Sequence, residues 1–207
     1  MSRKVCVLAS GGVDSAVLTA DFLRRGFVVH PLYVRCGLRW EGDELRRLRR
    51  MLKAAAQPRL RPLEVSQAAI SGFLGKKHWS LSGKAVPGRS SAASSVFLPG
   101  RNLTLLTQAG LYCDARSIPA AAIGILRGNP FPDAQPTFLG SMERAIASAF
   151  GRPFKVLAPY RTLSKKEILR RFPMPSWIGL AFSCLAPVRG RPCGRCNKCA
   201  EKESVLP

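Results

Sequence analysis

Long apolar runs are missing from this chain. No stretch of about 18 uncharged apolar residues occurs, so no membrane-spanning helix is expected. The N-terminal apolar run, Val5 to Ala9, is short and ends in glycines. Despite Arg3 and Lys4 before it, it reads as a first strand and not as a signal peptide, and a cytoplasmic protein is expected. There is no internal repeat and no low-complexity segment, which sets aside repeat architectures. Acidic residues are also scarce: 12 Asp and Glu stand against 33 Lys and Arg, a formal net charge of +21. That balance suits RNA or DNA, and equally a positive cleft for ATP and anionic substrates. The basic residues are scattered, with local groups at Arg46, Arg47, Arg49, Arg50 and at Arg59, Arg61. The first group alternates with Leu45, Leu48 and Leu52, as the solvated face of a helix does. Nucleic-acid binding is therefore not the favoured reading. The apolar fraction of 46% over 207 residues is that of one globular domain, or of one domain with a small appendage.

What is present begins with Ser10-Gly11-Gly12-Val13-Asp14-Ser15, set between an apolar run and a helical pattern. Glycines let backbone N–H groups approach an anion, Ser10 and Ser15 add hydroxyl donors, and the following helix points its positive end there. The segment lacks the terminal lysine of a Walker A loop and the three-glycine spacing of a dinucleotide fingerprint. Asp14 makes sense if Mg²⁺ sits between it and phosphate, or if it caps the helix. The expected nucleotide-binding window comprises Leu8, Ala9, Ser10, Gly11, Gly12, Val13, Asp14, Ser15, Ala16, Val17 and Leu18.

The rest of the chain alternates strand and helix. Strands are predicted at 4–8, 27–34, 61–65, 118–126 and 154–158, and helices at 15–25, 41–56, 102–113, 137–150 and 164–172. Ser164 with Glu167 is a capping box. The stretch 73–95 reads as an irregular lid or substrate loop carrying His78 and Trp79. Alternating β and α predicts an α/β fold with a doubly wound parallel sheet over residues 1–172 and a nucleotide at the carboxyl edge of the strands.

Residues 173–207 form the expected appendage, a C-terminal metal segment packed on that domain. Cys184, Cys193, Cys196 and Cys199 are spaced x8, x2 and x2, which suits a closed tetrahedral Zn²⁺ site. Arg191, Arg195, Lys198 and Lys202 lie nearby to offset thiolate charge. A [4Fe–4S] cluster is the alternative. Cys6, Cys36 and Cys113 read as buried apolar residues.

Taken together these motifs resemble the 7-cyano-7-deazaguanine synthase family of the ATP-pyrophosphatase, or pyrophosphate-loop, superfamily. The resemblance rests on Ser10–Ser15, Leu98-Pro99-Gly100-Arg101-Asn102, Pro132-Asp133 with Pro136 and Phe138, Pro159 through Lys165-Lys166-Glu167-Ile168, Glu44-Leu45, and the cysteine site. It implies an adenine nucleotide alpha hydrolase-like fold and a ligase that cleaves ATP to AMP and pyrophosphate. A deazapurine carboxylate would be adenylated and converted with ammonia to an amide, then with a second ATP to the nitrile, in queuosine biosynthesis. The implied cofactors are ATP, Mg²⁺ and zinc, and a homodimer is expected on the same ground. Asp14 would position Mg²⁺, Arg101 and Lys165 would neutralise phosphate charge, and Asn102 and Asp133 would orient substrate. Leu38 and Trp40 stand where the family pattern has Gln and His, Ala134 and Gln135 where it has Cys-Arg, and Arg127 where it is acidic. Two further readings stay open: a relative that attaches a deazapurine to a macromolecule, and a tRNA-modifying enzyme of the same superfamily.

Overall fold

The computed structural model describes residues 3–172 and 176–205. In chain order the elements are β1 (Lys4–Leu8), α1 (Val13–Arg24), β2 (Val28–Arg35), α2 (Glu41–Ala54), β3 (Glu64–Gln67), α3 (Trp79–Ser82), α4 (Arg101–Ala115), β4 (Ala120–Ala122), α5 (Pro136–Phe150), β5 (Lys155–Leu157), α6 (Lys165–Arg171) and α7 (Asn197–Glu203). The strands pair in parallel in the order β3-β2-β1-β4-β5. The chain winds outward from β1 in both directions, so the switch point lies between β1 and β4. Ligands of such sheets bind at that point, beyond the carboxyl ends of the strands.

The centre of the sheet is buried on both faces, which is why β1 is apolar from Val5 to Leu8 instead of alternating. Val5 and Val7 pack against α1, α2 and α6, among Val17, Phe22, Leu48 and Ile168. Cys6 and Leu8 face the opposite layer, among Leu106, Ala109, Met142 and Ile146 of α4 and α5. This is the doubly wound arrangement expected from the alternation. Cys6, Cys36 and Cys113 are buried in it. The capping box at α6 is formed: the Ser164 N–H donates to Glu167 Oε2 at 2.7 Å, and the Glu167 N–H to Ser164 Oγ at 3.3 Å.

Two strands differ from their predicted spans by more than one residue at an end. The third begins at Glu64, after Pro62, because proline has no N–H to give a ladder. The run 118–126 pairs only over Ala120–Ala122. One further bond, from the Ile123 N–H to Leu157 O at 2.9 Å, extends it. Gly124 and Ile125 then leave the sheet, and Ile123 and Ile125, buried in the core layer, also line a cleft with Gly124, so the apolar run is not a longer strand. The stretch 73–95 holds α3 and the start of a 3-10 turn at Ala93–Val96, and is otherwise irregular.

The C-terminal segment joins both apolar layers. Ile178 and Ala181 pack with α1 and α2, while Phe182 and Leu185 pack with the α4 layer. The Phe182 N–H donates to Gly11 O at 2.8 Å, tying this segment to the glycine loop. The expected boundary at 172–173 abuts residues 173–175, which lie outside the described residues.

Candidate functional site

The loop between β1 and α1 turns at Gly11, where φ is +77°. A Cβ there would meet Leu48 Cβ of α2 at 3.2 Å, so both the backbone angle and the packing call for glycine. Gly12 is the N-cap of α1, and no side chain caps it. Asp14 therefore sits within the first helical turn, and the capping alternative for it does not hold. The Gly12 N–H reaches Ser10 Oγ at 3.3 Å, and the Ser10 and Ser15 hydroxyls lie 3.3 Å apart. The result is a small cup of N–H and O–H donors at the positive end of α1.

This cup opens into a cleft of about 500 Å³ at the carboxyl edge of the sheet. Of the expected site residues, Asp14, Lys165, Arg101 and Asn102 all line it. Ala16, Val17 and Leu18 point instead into the core, where they are fully or almost fully buried.

Lys165 Nζ lies 3.4 Å from Asp14 Oδ2 and is also bonded to Glu201 of α7. Lys198 Nζ reaches the other oxygen of Glu201 at 2.6 Å. Burial pushes the Asp14 carboxyl up, against the pull of Lys165. Burial works against the Lys165 charge too, but Asp14 and Glu201 outweigh it and raise the ammonium. Burial would raise Glu201, yet Lys198 and Lys165 hold it down to about 2. Asp14 Oδ1 is buried without a hydrogen-bond partner, an oxygen open to a cation.

On another wall, the Tyr33 hydroxyl donates to Glu44 Oε2 at 2.7 Å. Burial pushes Glu44 up to about 7, and Glu41 adds to this, while Arg101 and the Tyr33 hydrogen bond draw it back. Burial also opposes the Arg101 charge, but Glu44, Cys36, Tyr33 and Glu41 around it hold the guanidinium protonated. Its Nε has no partner. Trp40, buried, stacks on Trp79 at 5.7 Å with the rings 8° from parallel, so α3 of the long loop closes this side.

Asn102 and Asp133 meet each other. The Asn102 backbone N–H donates to Asp133 Oδ2 at 3.0 Å, and its side-chain amide to Asp133 Oδ1 at 3.2 Å and Asp133 O at 3.1 Å. Gly100, with φ +72°, is the N-cap of α4, so Asp133 supplies from outside the acceptor that this helix start lacks.

The four clustered cysteines converge, with all sulfurs within 4.8 Å of one another. Sulfurs around one tetrahedral ion at zinc–thiolate bond lengths stand roughly 3.8 Å apart, so the set fits a single ion. The Cys193 N–H donates to Cys184 Sγ at 3.2 Å and the Leu185 N–H to Cys196 Sγ at 3.5 Å, as a thiolate knuckle requires. Two of the cations expected to offset thiolate charge are engaged elsewhere: Lys198 with Glu201, and Lys202 Nζ with Ala181 O at 2.7 Å. The segment also grips the long loop, through Asn197 N–H to Pro87 O at 2.9 Å and Asn197 Nδ2 to Ser91 O at 2.6 Å.

Sequence reasoning did not assign Glu44, Tyr33, Lys198 or Glu201 to the site. Glu44 stood inside a quoted motif, and its burial on α2 was the missing signal. Glu201 carried no local signal, because its role depends on Lys165 from another helix.

A family model described as "Queuosine biosynthesis protein QueC" matches residues 4–206. The chain belongs to this family. A protein named 7-cyano-7-deazaguanine synthase from Anaeromyxobacter sp. (strain Fw109-5) is 32% identical, over 96% of this chain and 89% of its own length. The 7-cyano-7-deazaguanine synthase 1 of Desulfitobacterium hafniense (strain Y51) is 29% identical, over 99% and 91%. Among solved structures, a 4-thiouridine synthetase–RNA complex with bound ATP shares the fold, with a TM-score of 0.54 and 20% identity, over 98% of this chain and 49% of that one. A predicted subunit of tRNA methyltransferase from Methanocaldococcus jannaschii shares it with a TM-score of 0.52 and 16% identity, over 81% and 74%. The curated relatives are named as synthases. No helix among the described residues is long and apolar enough to cross a membrane.

Proposed function

We propose that this chain converts 7-carboxy-7-deazaguanine, ammonia and two ATP to 7-cyano-7-deazaguanine, two AMP and two pyrophosphate. The observation that carries the reading is the donor cup at Ser10–Ser15, with Lys165 and Asp14 beside it in one cleft of a QueC-family chain. The Gly12 region, Ser10 and Ser15 would hold the departing pyrophosphate, and Lys165 would neutralise charge that builds on it. Arg101, charged and with an unpartnered Nε, would meet the substrate carboxylate or the α-phosphate. Adenylation makes the carboxylate oxygen a leaving group, and ammonia then displaces AMP to give the amide. A second adenylation activates the amide oxygen, and loss of AMP leaves the nitrile. Glu44, held near neutrality, suits acceptance of the proton that ammonia sheds.

Asp14 would hold Mg²⁺ through Oδ1, where the ion would neutralise phosphate charge. Cys184, Cys193, Cys196 and Cys199 would hold Zn²⁺, a soft-donor set that leaves no ligand position for chemistry. A second reading, transfer of the activated deazapurine to an amine of a macromolecule, draws on Leu38 and Trp40. Both are buried, and Trp40 with Trp79 forms part of the cleft wall.

The test is incubation of the metal-loaded protein with ATP, Mg²⁺, ammonium and 7-carboxy-7-deazaguanine, followed by mass spectrometry. AMP and nitrile in step support the first reading. AMP without nitrile moves the conclusion to the second, and absence of ATP turnover overturns both.

A further inference from the structure

The cysteine-bearing segment does more in this cleft than close a metal site. Lys198 lies in the gap between Cys196 and Cys199, and its ammonium faces the cleft instead of a thiolate. Glu201, one helical turn on, bonds Lys198 with one oxygen and Lys165 with the other. Lys165 in turn stands 3.4 Å from Asp14. An i,i+3 pair such as Lys198 and Glu201 is ordinarily a solvated surface contact worth little. Here the pair is joined to a lysine whose side chain is only 15% exposed, on a separate helix, beside the donor cup. Two ammonium groups and two carboxylates balance one another in the cleft. Both lysines are therefore held in place and partnered, where an anion would arrive.

We infer that Lys198 is a second phosphate-binding lysine and that Glu201 is a counter-ion which occupies Lys198 and Lys165 and gives them up when an anion arrives. This rests on the reading of Ser10–Ser15 as a pyrophosphate cup. An incoming pyrophosphate takes the two ammonium groups from Glu201, while Asp14 keeps Oδ1 for a cation. The metal segment thus contributes to nucleotide binding through a side chain and not through its ion.

The two residues carry opposite charge, so their variants have opposite effects, which a merely structural role would not produce. Binding of inorganic pyrophosphate to the metal-loaded protein is measured by calorimetry for the wild type, K198M, K198R and E201Q. Metal content and thermal midpoint are recorded for each. The expected result is about tenfold weaker binding for K198M, near-wild-type binding for K198R, and severalfold tighter binding for E201Q, whose amide no longer competes for the lysines. Wild-type affinity in K198M overturns the assignment of Lys198. Unchanged or weaker binding in E201Q overturns the role given to Glu201. If the wild type itself binds no pyrophosphate, the reading of the cup fails first and the inference with it. K198R separates loss of charge from loss of fold, since it keeps the charge at the same position.

Discussion

Replacing Glu44 with glutamine removes a carboxyl that the fold holds at a cost. Its side chain is buried, accepts the Tyr33 hydroxyl at 2.7 Å, and is pushed up to about 7 from an ordinary 4.5, chiefly by burial. Below pH 4.5 the group is protonated in both folded and unfolded chains and adds no penalty. Between 4.5 and about 7 the unfolded chain ionises while the folded one does not, so stability falls as pH rises. Above about 7 the whole penalty is in place. Each pH unit in that window is worth about 1.4 kcal/mol, so the total is on the order of 3 kcal/mol. The side-chain amide of the E44Q variant would keep an acceptor for Tyr33 and carries no ionisable group. Urea unfolding of both proteins from about pH 5 to 8 gives the difference, in which the other titrating groups cancel. The variant is expected to gain on the wild type steadily up to about pH 7 and then hold level, the part above pH 5 being about 2 to 3 kcal/mol. A difference that stays flat across this range would refute the reasoning, because it would mean that Glu44 ionises as freely in the folded protein as in water.

The glycine loop supplies a contrast within one turn. Gly11→Ala forces a left-handed angle on alanine and brings its Cβ to 3.2 Å from Leu48, so a loss of about 2 kcal/mol is expected, read as a drop of roughly 4–8 °C in thermal midpoint. Gly12→Ala, at φ −75°, is expected to keep its midpoint and lose pyrophosphate binding, since the methyl stands by Ser10 Oγ and Ser183 Oγ at 3.3 Å. A larger midpoint drop for Gly12→Ala than for Gly11→Ala contradicts this. Cys196→Ser should cost the protein its bound metal and several kcal/mol of stability, on the order seen when a structural ion is lost. It should also open the Pro87–Ser91 stretch to protease, because Asn197 pins that stretch to the segment. Full metal content with unchanged protection would sink the idea.

Much of the fold was readable in advance because its signals are local. The Val5–Ala9 run, the glycines and the following helix lie side by side in the chain. The Ser164–Glu167 capping box spans one helical turn. The x2 spacings of the cysteines are themselves the geometry of a knuckle, and the four sulfurs did come together. The alternation of apolar runs and amphipathic stretches set the doubly wound class; among the strands, β3 and β4 moved by more than one residue, and the other strand ends by one at most. Local pattern cannot tell an apolar strand from an apolar cleft wall, which is why Ile123 and Ile125 read as sheet.

Sequence alone thus determined the glycine turn between β1 and α1, the convergence of four cysteines and the layer architecture, each of which is encoded within a few residues of itself. Tertiary structure decided what faces the cup. The strand order β3-β2-β1-β4-β5 brings α6 against α1, and so Lys165 to Asp14. It sets Arg101 at the start of α4 beside Glu44 of α2, and joins Asn102 to Asp133. Packing of the C-terminal segment on the loop adds Lys198 and Glu201. Apart from Lys198 and Glu201, none of these pairs is close in the chain. Their charges were visible as residues, but burial and proximity, which set their protonation and partners, exist only once the sheet has formed.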